Sequence, residues 1–433
     1  MAWCLQERRH IMRILRESDE KRAYHEGIVY RSSYYNIYDS TGQFLYNTSS
    51  GAILDGWNNS CTSDVSQEDR ILLVKNGFLV PDTCDEFAEI THSIKTKEKN
   101  DIDLFTIIPT TACNAKCFYC YEENYCKQTL SQSKLRDVVD YISKQVLDKK
   151  AFTLDWYGGE PLLCVEKIDD IILGLSEKGA FDGREWSSSI TTNATLFNRK
   201  LIKHAVDDWK LTAAHITIDG TEHQHNARKE VSFNGNSAFR ATLNAIHDLL
   251  DEGVYVNLRI HLDHNNKGTF REVLDEIAPF WAYDNFHLFP TFLFPPEFKM
   301  DANYIRDNEK EDLFFDVFAA MQEKKLVSNI VELFPKPKKS GCFATDPHAV
   351  VIAPDGSLHA CVQEFSSTED WHDDQKFVNY TDVGEACSKC KFFPICLGGC
   401  IHNRFLKGTV RTPCVRNRYV VKPLLELLNK QES

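Results

Sequence analysis

The sequence predicts an α/β protein built around a partial barrel of six β/α units, with an N-terminal α+β region and a cysteine-rich C-terminal region. Strand-like segments alternate with amphipathic helical segments through the middle of the chain, which is typical of parallel strands joined by right-handed crossovers. The first 100 residues instead have the pattern of hairpins, and seven of the 15 cysteines lie between 342 and 414. These observations predict three domains, at 1–100, 101–333 and 334–433.

Composition narrows the classes of protein to consider. The chain has 433 residues, and an apolar content of 42% supports a packed core. The net charge of −13 argues against a protein that binds nucleic acid by neutralising phosphates. No run approaches the roughly 18 apolar residues of a membrane span, and residues 1–10 lack the apolar segment of a secretory signal. We therefore expect a cytoplasmic protein with neither a nucleic-acid nor a membrane partner.

The N-terminal region is expected to contain a hairpin and a helix. A Gly-containing turn at 39–42 joins two strand-like segments, which predicts a hairpin. The helix predicted at 67–75 ends at Asn76 and Gly77, a favourable pair for a helix C-terminus. The hairpin edge could bind a leader peptide as an added strand, or the region could be an extension that caps the barrel. The strands are predicted at 28–30, 34–38 and 43–47, and a charged linker at 95–101.

The central region is predicted to place several polar loops on one rim. Loops after the C-terminal ends of parallel strands form the active face of β/α barrels. A cysteine loop follows the first strand, and Gly158, Asn193 and Asp219 follow the next three. Ser131 is expected to cap the first helix. The strands are predicted at 104–109, 152–157, 188–192, 213–218, 254–262 and 286–293, and the later helices near 162–178, 199–209, 237–251 and 268–281.

The cysteine loop contains Cys113, Cys117 and Cys120 in a C-x3-C-x2-C pattern, with Tyr119 before the last cysteine. Iron–sulfur cubanes ordinarily use four thiolates, so three thiolates leave one iron open to a small ligand. The alternative from spacing alone is a zinc knuckle. The pattern resembles the signature of the radical S-adenosylmethionine (SAM) enzymes. This resemblance implies a (β/α)6 TIM-like radical SAM barrel, in which SAM completes the [4Fe-4S] cluster and is cleaved to a 5′-deoxyadenosyl radical.

Further segments resemble the SAM-binding motifs of this family. Tyr157-Gly158-Gly159-Glu160-Pro161 resembles the GGE motif, whose backbone and acidic group hold the methionine ammonium. Thr192-Asn193-Ala194-Thr195-Leu196 resembles TNGTL, with Ala194 where glycine is usual. The resemblance assigns Asn193 to the ribose, and places Tyr119 and Thr217 near SAM. Arg228, where relatives carry HDxxR, would pair with the SAM carboxylate.

Arg259 interrupts an otherwise apolar strand. Because a buried arginine needs a partner, it is expected either to face SAM or substrate, or to pair with an acid such as Asp263.

The cysteines of the C-terminal region resemble those of the SPASM domain, which binds two auxiliary [4Fe-4S] clusters. The resemblance implies one complete set of four ligands and a second set of three. The open iron of the second cluster could then bind water, another side chain or a substrate cysteine. The alternative is a pair of zinc ribbons. The complete set is Cys387, Cys390, Cys396 and Cys414, and the incomplete set is Cys342, Cys361 and Cys400.

Together these resemblances predict a radical SAM/SPASM enzyme that modifies a ribosomally synthesised peptide, through a thioether, a carbon–carbon crosslink or another radical oxidation. Its expected partners are a peptide or protein substrate, with or without a leader sequence, and a reductant such as flavodoxin or ferredoxin. One alternative is an anaerobic maturase that generates formylglycine in a sulfatase. The other is a zinc-ribbon adaptor without catalysis. The sequence identifies no acid or base for the substrate step.

Overall fold

The computed structural model describes residues 12–56, 65–95, 102–123, 125–231, 237–293, 303–342, 344, 348–363, 384–400 and 414–432. The chain divides into two compact units. The first contains Met1–Lys97, Asn308–Gly341 and Asn379–Ser433, and the second contains Glu98–Asp307 and Cys342–Val378. The sequence-based domains 1–100, 101–333 and 334–433 stay a prediction.

The strands are β1 (Arg13–Arg16), β2 (Tyr30–Ser32), β3 (Asn36–Tyr38), β4 (Phe44–Asn47), β5 (Ile53–Asp55), β6 (Leu79–Pro81), β7 (Ile102–Ile107), β8 (Ala151–Trp156), β9 (Glu185–Thr192), β10 (Leu211–Ile218), β11 (Tyr255–Leu262), β12 (Phe286–Phe292), β13 (Ala349–Ile352) and β14 (Leu358–His359). The helices are α1 (Gln67–Lys75), α2 (Glu86–Lys95), α3 (Gln132–Gln145), α4 (Val165–Glu177), α5 (Arg199–Asp208), α6 (Glu222–Lys229), α7 (Ala238–Asp251), α8 (Phe270–Ile277), α9 (Lys310–Glu323), α10 (Glu385–Ser388), α11 (Phe393–Cys396) and α12 (Arg416–Glu432).

The first unit contains the predicted hairpin. Strands β3 and β4 pair antiparallel within a sheet of order β1-β5-β4-β3, and Gly42 has a φ of 78° in the turn. The strand predicted at 28–30 lies instead at β2, where it pairs with β6 and stands outside the hairpin sheet. Helix α1 begins after Ser66, whose side chain accepts the Asp69 N–H, and ends as predicted. Of the predicted linker, 96–101 lies outside the described residues.

The second unit is built on one sheet of order β12-β11-β10-β9-β8-β7-β13-β14. Strands β7 to β12 are parallel and neighbour each other in chain order, which confirms the six predicted β/α units. Strand β13 adds a parallel partner to β7, and β14 pairs antiparallel with β13. The sequence did not predict this addition, because β13 lies about 240 residues after β7 in the chain and local patterns do not show which distant strands pair.

The two faces of this sheet differ in polarity. Along β11, Val256, Leu258 and Ile260 are fully buried. Asn257 and Arg259, which alternate with them, are half-buried, as the two-residue period of a strand requires. The apolar face packs against helices such as α5 and α7. We call the opposite face the inner face. Its polar side chains include those of Asp155, Ser189, His215, Asn257 and Arg259.

The helices of the second unit follow the predicted pattern with two differences. Ser131 caps α3 by accepting the Lys134 N–H, as expected. The helix predicted at 268–281 is α8 followed by a 3-10 turn at Ala278–Ala282, because Pro279 has no N–H to continue the α-helix. Helix α6 was not predicted, since its sequence is almost entirely polar and has no apolar stripe.

Candidate active site

The cysteine loop lies directly beyond the C-terminal end of β7. Its thiols, from Cys113, Cys117 and Cys120, are half-buried, and the Ala115 N–H lies 3.4 Å from the Cys113 sulfur. Burial raises the pKa of the Cys113 and Cys120 thiols to about 11, and also raises that of Cys117. These groups become thiolates when a metal replaces their protons. Three thiols on one short loop, with an N–H directed at sulfur, fit a cluster with one open iron.

Gly158 and Gly159 hold the next loop against the chain that enters the cysteine loop. A Cβ on Gly158, whose φ is 121°, would lie 2.4 Å from the Thr110 carbonyl oxygen. A Cβ on Gly159 would lie 2.2 Å from the Ala112 carbonyl oxygen. The Gly159 N–H also donates to the Thr110 carbonyl at 3.1 Å. Glycine is therefore required at both positions by backbone packing. Their contacts with SAM stay a prediction.

Glu160 joins the ends of β8 and β9. It is fully buried, and its carboxylate accepts hydrogen bonds from the Thr192 hydroxyl at 2.7 Å and the Asn193 N–H at 2.9 Å. It also accepts the Leu162 N–H at 3.1 Å. Both carboxylate oxygens of Glu160 therefore accept hydrogen bonds from within the protein. The contact of Glu160 with the methionine ammonium stays a prediction.

Asn193 connects β9 to the cysteine loop. Its Nδ2 donates to Asn114 Oδ1 at 2.7 Å and lies 4.0 Å from the Cys113 sulfur. The next residue, Ala194, has a φ of 64° and is fully buried. A left-handed backbone here explains why the family motif has glycine at this position. The structure thus brings together the cysteine loop and the residues after β8 and β9, as the sequence predicted for one rim.

A buried charged group lies beyond β10. The Tyr119 hydroxyl is 2.8 Å from both carboxylate oxygens of Asp219, and the Tyr119 ring packs edge-on against His261. Asp219 is fully buried, 3.6 Å from Lys229 Nζ and 3.4 Å from His261 Nδ1. Burial opposes ionisation of Asp219, but Lys229 and His261 outweigh it and hold the pKa of this carboxyl well below its usual range. The sequence singled out Tyr119 and Asp219 but missed Lys229 and His261.

Arg228 and Arg259 occupy different environments. Arg228 pairs with the buried Asp263 and stacks its guanidinium 5.4 Å from the Phe118 ring. The predicted pairing of Arg259 with Asp263 is therefore wrong, because the unpredicted helix α6 brings Arg228 to that acid. Among the described residues, Nη1 of Arg228 has no hydrogen-bond partner, so it remains available to an anion such as the SAM carboxylate.

Arg259 lies half-buried on the inner face, in register with Thr217 on β10 and Phe289 on β12. Within the described part of the chain it makes neither a hydrogen bond nor an ion pair. Its charge instead lowers the pKa of neighbouring His215, for which burial is the main cause. A half-buried cation without an ion-pair partner among the described residues favours binding of an anionic or strongly polar group.

The C-terminal cysteines lie in both units. Cys396 in the first unit has a pKa raised to about 11, first by burial and then by Cys390, Cys387 and Cys414. Cys387 and Cys390 pack against one apolar cluster that contains Phe393 and Leu397. With Cys396 and Cys414 they are the four of the predicted complete set, and their binding of a cluster stays a prediction. Cys342 and Cys361 belong to the second unit and Cys400 to the first. The predicted incomplete set stays a prediction.

Residues 107–277 match the family model of the radical SAM superfamily. They form a radical SAM domain. The chain therefore contains a radical SAM domain and is an enzyme, which contradicts the alternative of an adaptor without catalysis. The cofactors of this superfamily are SAM and a [4Fe-4S] cluster, which supplies the electron that cleaves SAM. The thiols of Cys113, Cys117 and Cys120 are the residues that would hold the cluster here.

Curated relatives and solved structures agree with this assignment. The chain is 24% identical to the cysteine-type anaerobic sulfatase-maturating enzyme of Clostridium perfringens (strain 13 / Type A) over 326 residues, which cover 67% of this chain and 86% of the relative. It is 28% identical to the serine-type enzyme of Klebsiella aerogenes over 180 residues, covering 40% of this chain and 42% of the relative. The structure of native anSMEcpe with bound AdoMet has the same fold, with a TM-score of 0.59 at 17% identity, covering 76% of this chain and 98% of that one. No described helix is long and apolar enough to cross a membrane.

Proposed function

We propose that this enzyme uses the 5′-deoxyadenosyl radical to oxidise a peptide or protein, and that two auxiliary [4Fe-4S] clusters receive the electron released from the substrate. The observation that carries this proposal is a second set of four free cysteines, Cys387, Cys390, Cys396 and Cys414, beyond the three of the radical SAM loop. Of these, Cys387 and Cys390 pack against one apolar cluster that contains Phe393 and Leu397. Four cysteine thiolates are the ordinary ligand set of a cubane. A cluster that does not bind SAM is suited to accept the electron that bond formation or oxidation leaves behind.

The inner face of the sheet supplies groups that suit a peptide substrate. The Asp155 carboxylate accepts hydrogen bonds from Ser189 at 2.7 Å and from Thr106 at 3.3 Å. Asn257 lies 3.3 Å from His215 Nδ1 and 2.9 Å from His287 Nδ1, and so bridges two imidazoles. Burial raises the pKa of Asp155 and lowers that of His215, which favours their neutral forms. Peptide groups would therefore meet hydrogen-bonding partners rather than a dense charge.

The product we favour is a thioether or carbon–carbon crosslink in a ribosomally synthesised peptide. A substrate cysteine could then occupy the open iron of the auxiliary cluster for which the sequence predicts only three cysteine ligands. The N-terminal sheet is the proposed site for a leader sequence, and its edges are β1 and β3. Because the Asn36 carbonyl on β3 already accepts Lys391 Nζ at 3.1 Å, β1 is the better edge for strand addition. A flavodoxin or ferredoxin is the proposed source of electrons.

Formylglycine formation in a sulfatase is the second candidate, and the match along 86% of the Clostridium perfringens enzyme favours it. The two candidates differ in product mass. A crosslink removes two hydrogen atoms from the peptide, whereas conversion of cysteine to formylglycine also replaces sulfur with oxygen. Mass spectrometry of reactions with a sulfatase-motif peptide, and with a peptide encoded beside the gene, would distinguish them.

The cofactor content tests the proposal before any substrate is known. Anaerobically purified protein should contain about 12 irons for three cubanes. Replacing Cys387, Cys390, Cys396 and Cys414 with Ala should remove about a third of the iron and leave reductive SAM cleavage intact. The matched variant, Cys113→Ala with Cys117→Ala and Cys120→Ala, should abolish 5′-deoxyadenosine formation. Wild-type protein that holds only about four irons, or zinc at the C-terminal cysteines, would contradict an auxiliary-cluster function.

A further inference from the structure

Lys229 is a buried cation beside the cysteine loop. It is the last residue of α6, and only 4% of its surface is exposed. Its carbonyl oxygen accepts the Lys116 N–H at 2.7 Å, which ties the end of α6 to the loop between Cys113 and Cys117. A lysine so deeply buried is rare unless its charge is paired.

The charge of Lys229 is fixed by its surroundings. Burial opposes protonation of Lys229, but Asp219, whose carboxylate oxygen lies 3.6 Å from Nζ, outweighs it and raises the pKa of the ammonium. Lys229 is therefore a positive charge fixed beside the cysteine loop, to which its own carbonyl oxygen is hydrogen-bonded.

Asp219 supplies the opposite charge, and Tyr119 holds it in place. The Tyr119 hydroxyl, which comes from the cysteine loop itself, lies 2.8 Å from each Asp219 oxygen. A buried ion pair contributes little net stability, because removing two charges from water costs about as much as their attraction returns. The pair of Lys229 and Asp219 beside the cysteine loop is therefore expected to have a role other than stabilisation of the fold.

We propose that Lys229 and Asp219 set the reduction potential of the [4Fe-4S] cluster held by Cys113, Cys117 and Cys120, with Lys229 raising it and Asp219 lowering it. Reduction adds one electron to the cluster and moves no proton, so the reduced form carries one more negative charge. A nearby fixed cation stabilises that form and a nearby anion destabilises it. Tyr119 is a positioning residue that keeps the carboxylate at the loop.

The test compares midpoint potentials in the full-length, cluster-loaded protein without substrate. Potentials would be measured by redox titration followed by electron paramagnetic resonance, using the signal that changes when SAM is added to identify this cluster among the others. Lys229→Met should lower the potential, so that the ratio of reduced to oxidised cluster at a fixed potential falls about tenfold, or about 59 mV for one electron. Asp219→Asn should raise the potential. Lys229→Arg, which keeps the positive charge, should have the wild-type potential.

Opposite signs separate this role from a structural one. A merely structural contribution would leave both potentials unchanged or shift them the same way, and either result would overturn the proposal. If Lys229→Met does not retain iron, the signs of the potential shifts are compared between Lys229→Gln and Asp219→Asn instead. Tyr119→Phe, which keeps the ring against His261, is expected to shift the potential less than Asp219→Asn. Because no peptide is present, these results are independent of the proposed substrate.

Discussion

Replacing Gly159 with alanine should destabilise the radical SAM domain and displace the cysteine loop. The new methyl carbon would lie 2.2 Å from the Ala112 carbonyl oxygen and 2.6 Å from that of Thr111. Normal contacts between carbon and oxygen are about 3.3 Å or longer, so the backbone must move by about 1 Å. Both contacts are with backbone, which cannot rotate away as the end of a side chain would.

The magnitude follows from the contacts that would be disturbed. Overpacking typically costs about 1–3 kcal/mol. The hydrogen bonds from Gly159 N–H to Thr110 and from Glu160 N–H to Ala112, at 3.1 and 2.8 Å, are each worth about 0.5–1.5 kcal/mol. We expect Gly159→Ala to lower the free energy of unfolding by about 2–6 kcal/mol and to reduce the iron bound at Cys113, Cys117 and Cys120.

Urea denaturation followed by circular dichroism, together with iron analysis under anaerobic conditions, measures both effects. Gly268→Ala is the matched control, since a Cβ on Gly268 meets nothing within 4 Å and its backbone φ is unexceptional. It should change the unfolding free energy by less than about 0.5 kcal/mol. The reasoning is refuted if Gly159→Ala and Gly268→Ala have equal stability and equal iron content.

Three further predictions concern single residues. Lys325→Gly should raise the free energy of unfolding by about 0.5–1 kcal/mol, because Lys325 follows α9 with a left-handed φ of 57°; Lys325→Ala, which removes the charge but keeps the strain, should not. Ser131→Ala should cost about 1 kcal/mol in denaturation experiments through the lost cap of α3, and Ser131→Asp should retain most of it. Burial lowers the pKa of His225 to about 3. The unfolded chain therefore binds an extra proton between about pH 6.5 and 3, so stability should fall with decreasing pH by up to about 1.4 kcal/mol per unit, and this slope should flatten in His225→Asn.

Local patterns predicted most of the elements that carry the site. Strand-like segments between amphipathic helical segments located β7 to β12, and Ser131 and the Asn76-Gly77 pair marked helix ends, because these signals depend on neighbouring residues alone. The spacing of Cys113, Cys117 and Cys120 was equally local, since three ligands on one short loop need little help from the rest of the fold. Helix α6 gave no such signal. The partner of Asp263 is Arg228 on this helix, whereas the sequence had offered Arg259 as one alternative.

The tertiary structure decided the contacts between residues far apart in the chain. It placed Lys229 and His261 against Asp219, assigned Asp263 to Arg228, and left Arg259 unpaired on the inner face. It also showed that Gly158 and Gly159 are required by the carbonyls of Thr110 and Ala112. The sequence by itself determined the fold class and the metal-binding loop, because both depend on patterns among residues that lie close together in the chain. The electrostatic surroundings of that loop depend on which strands and helices meet, and only the folded chain decides that.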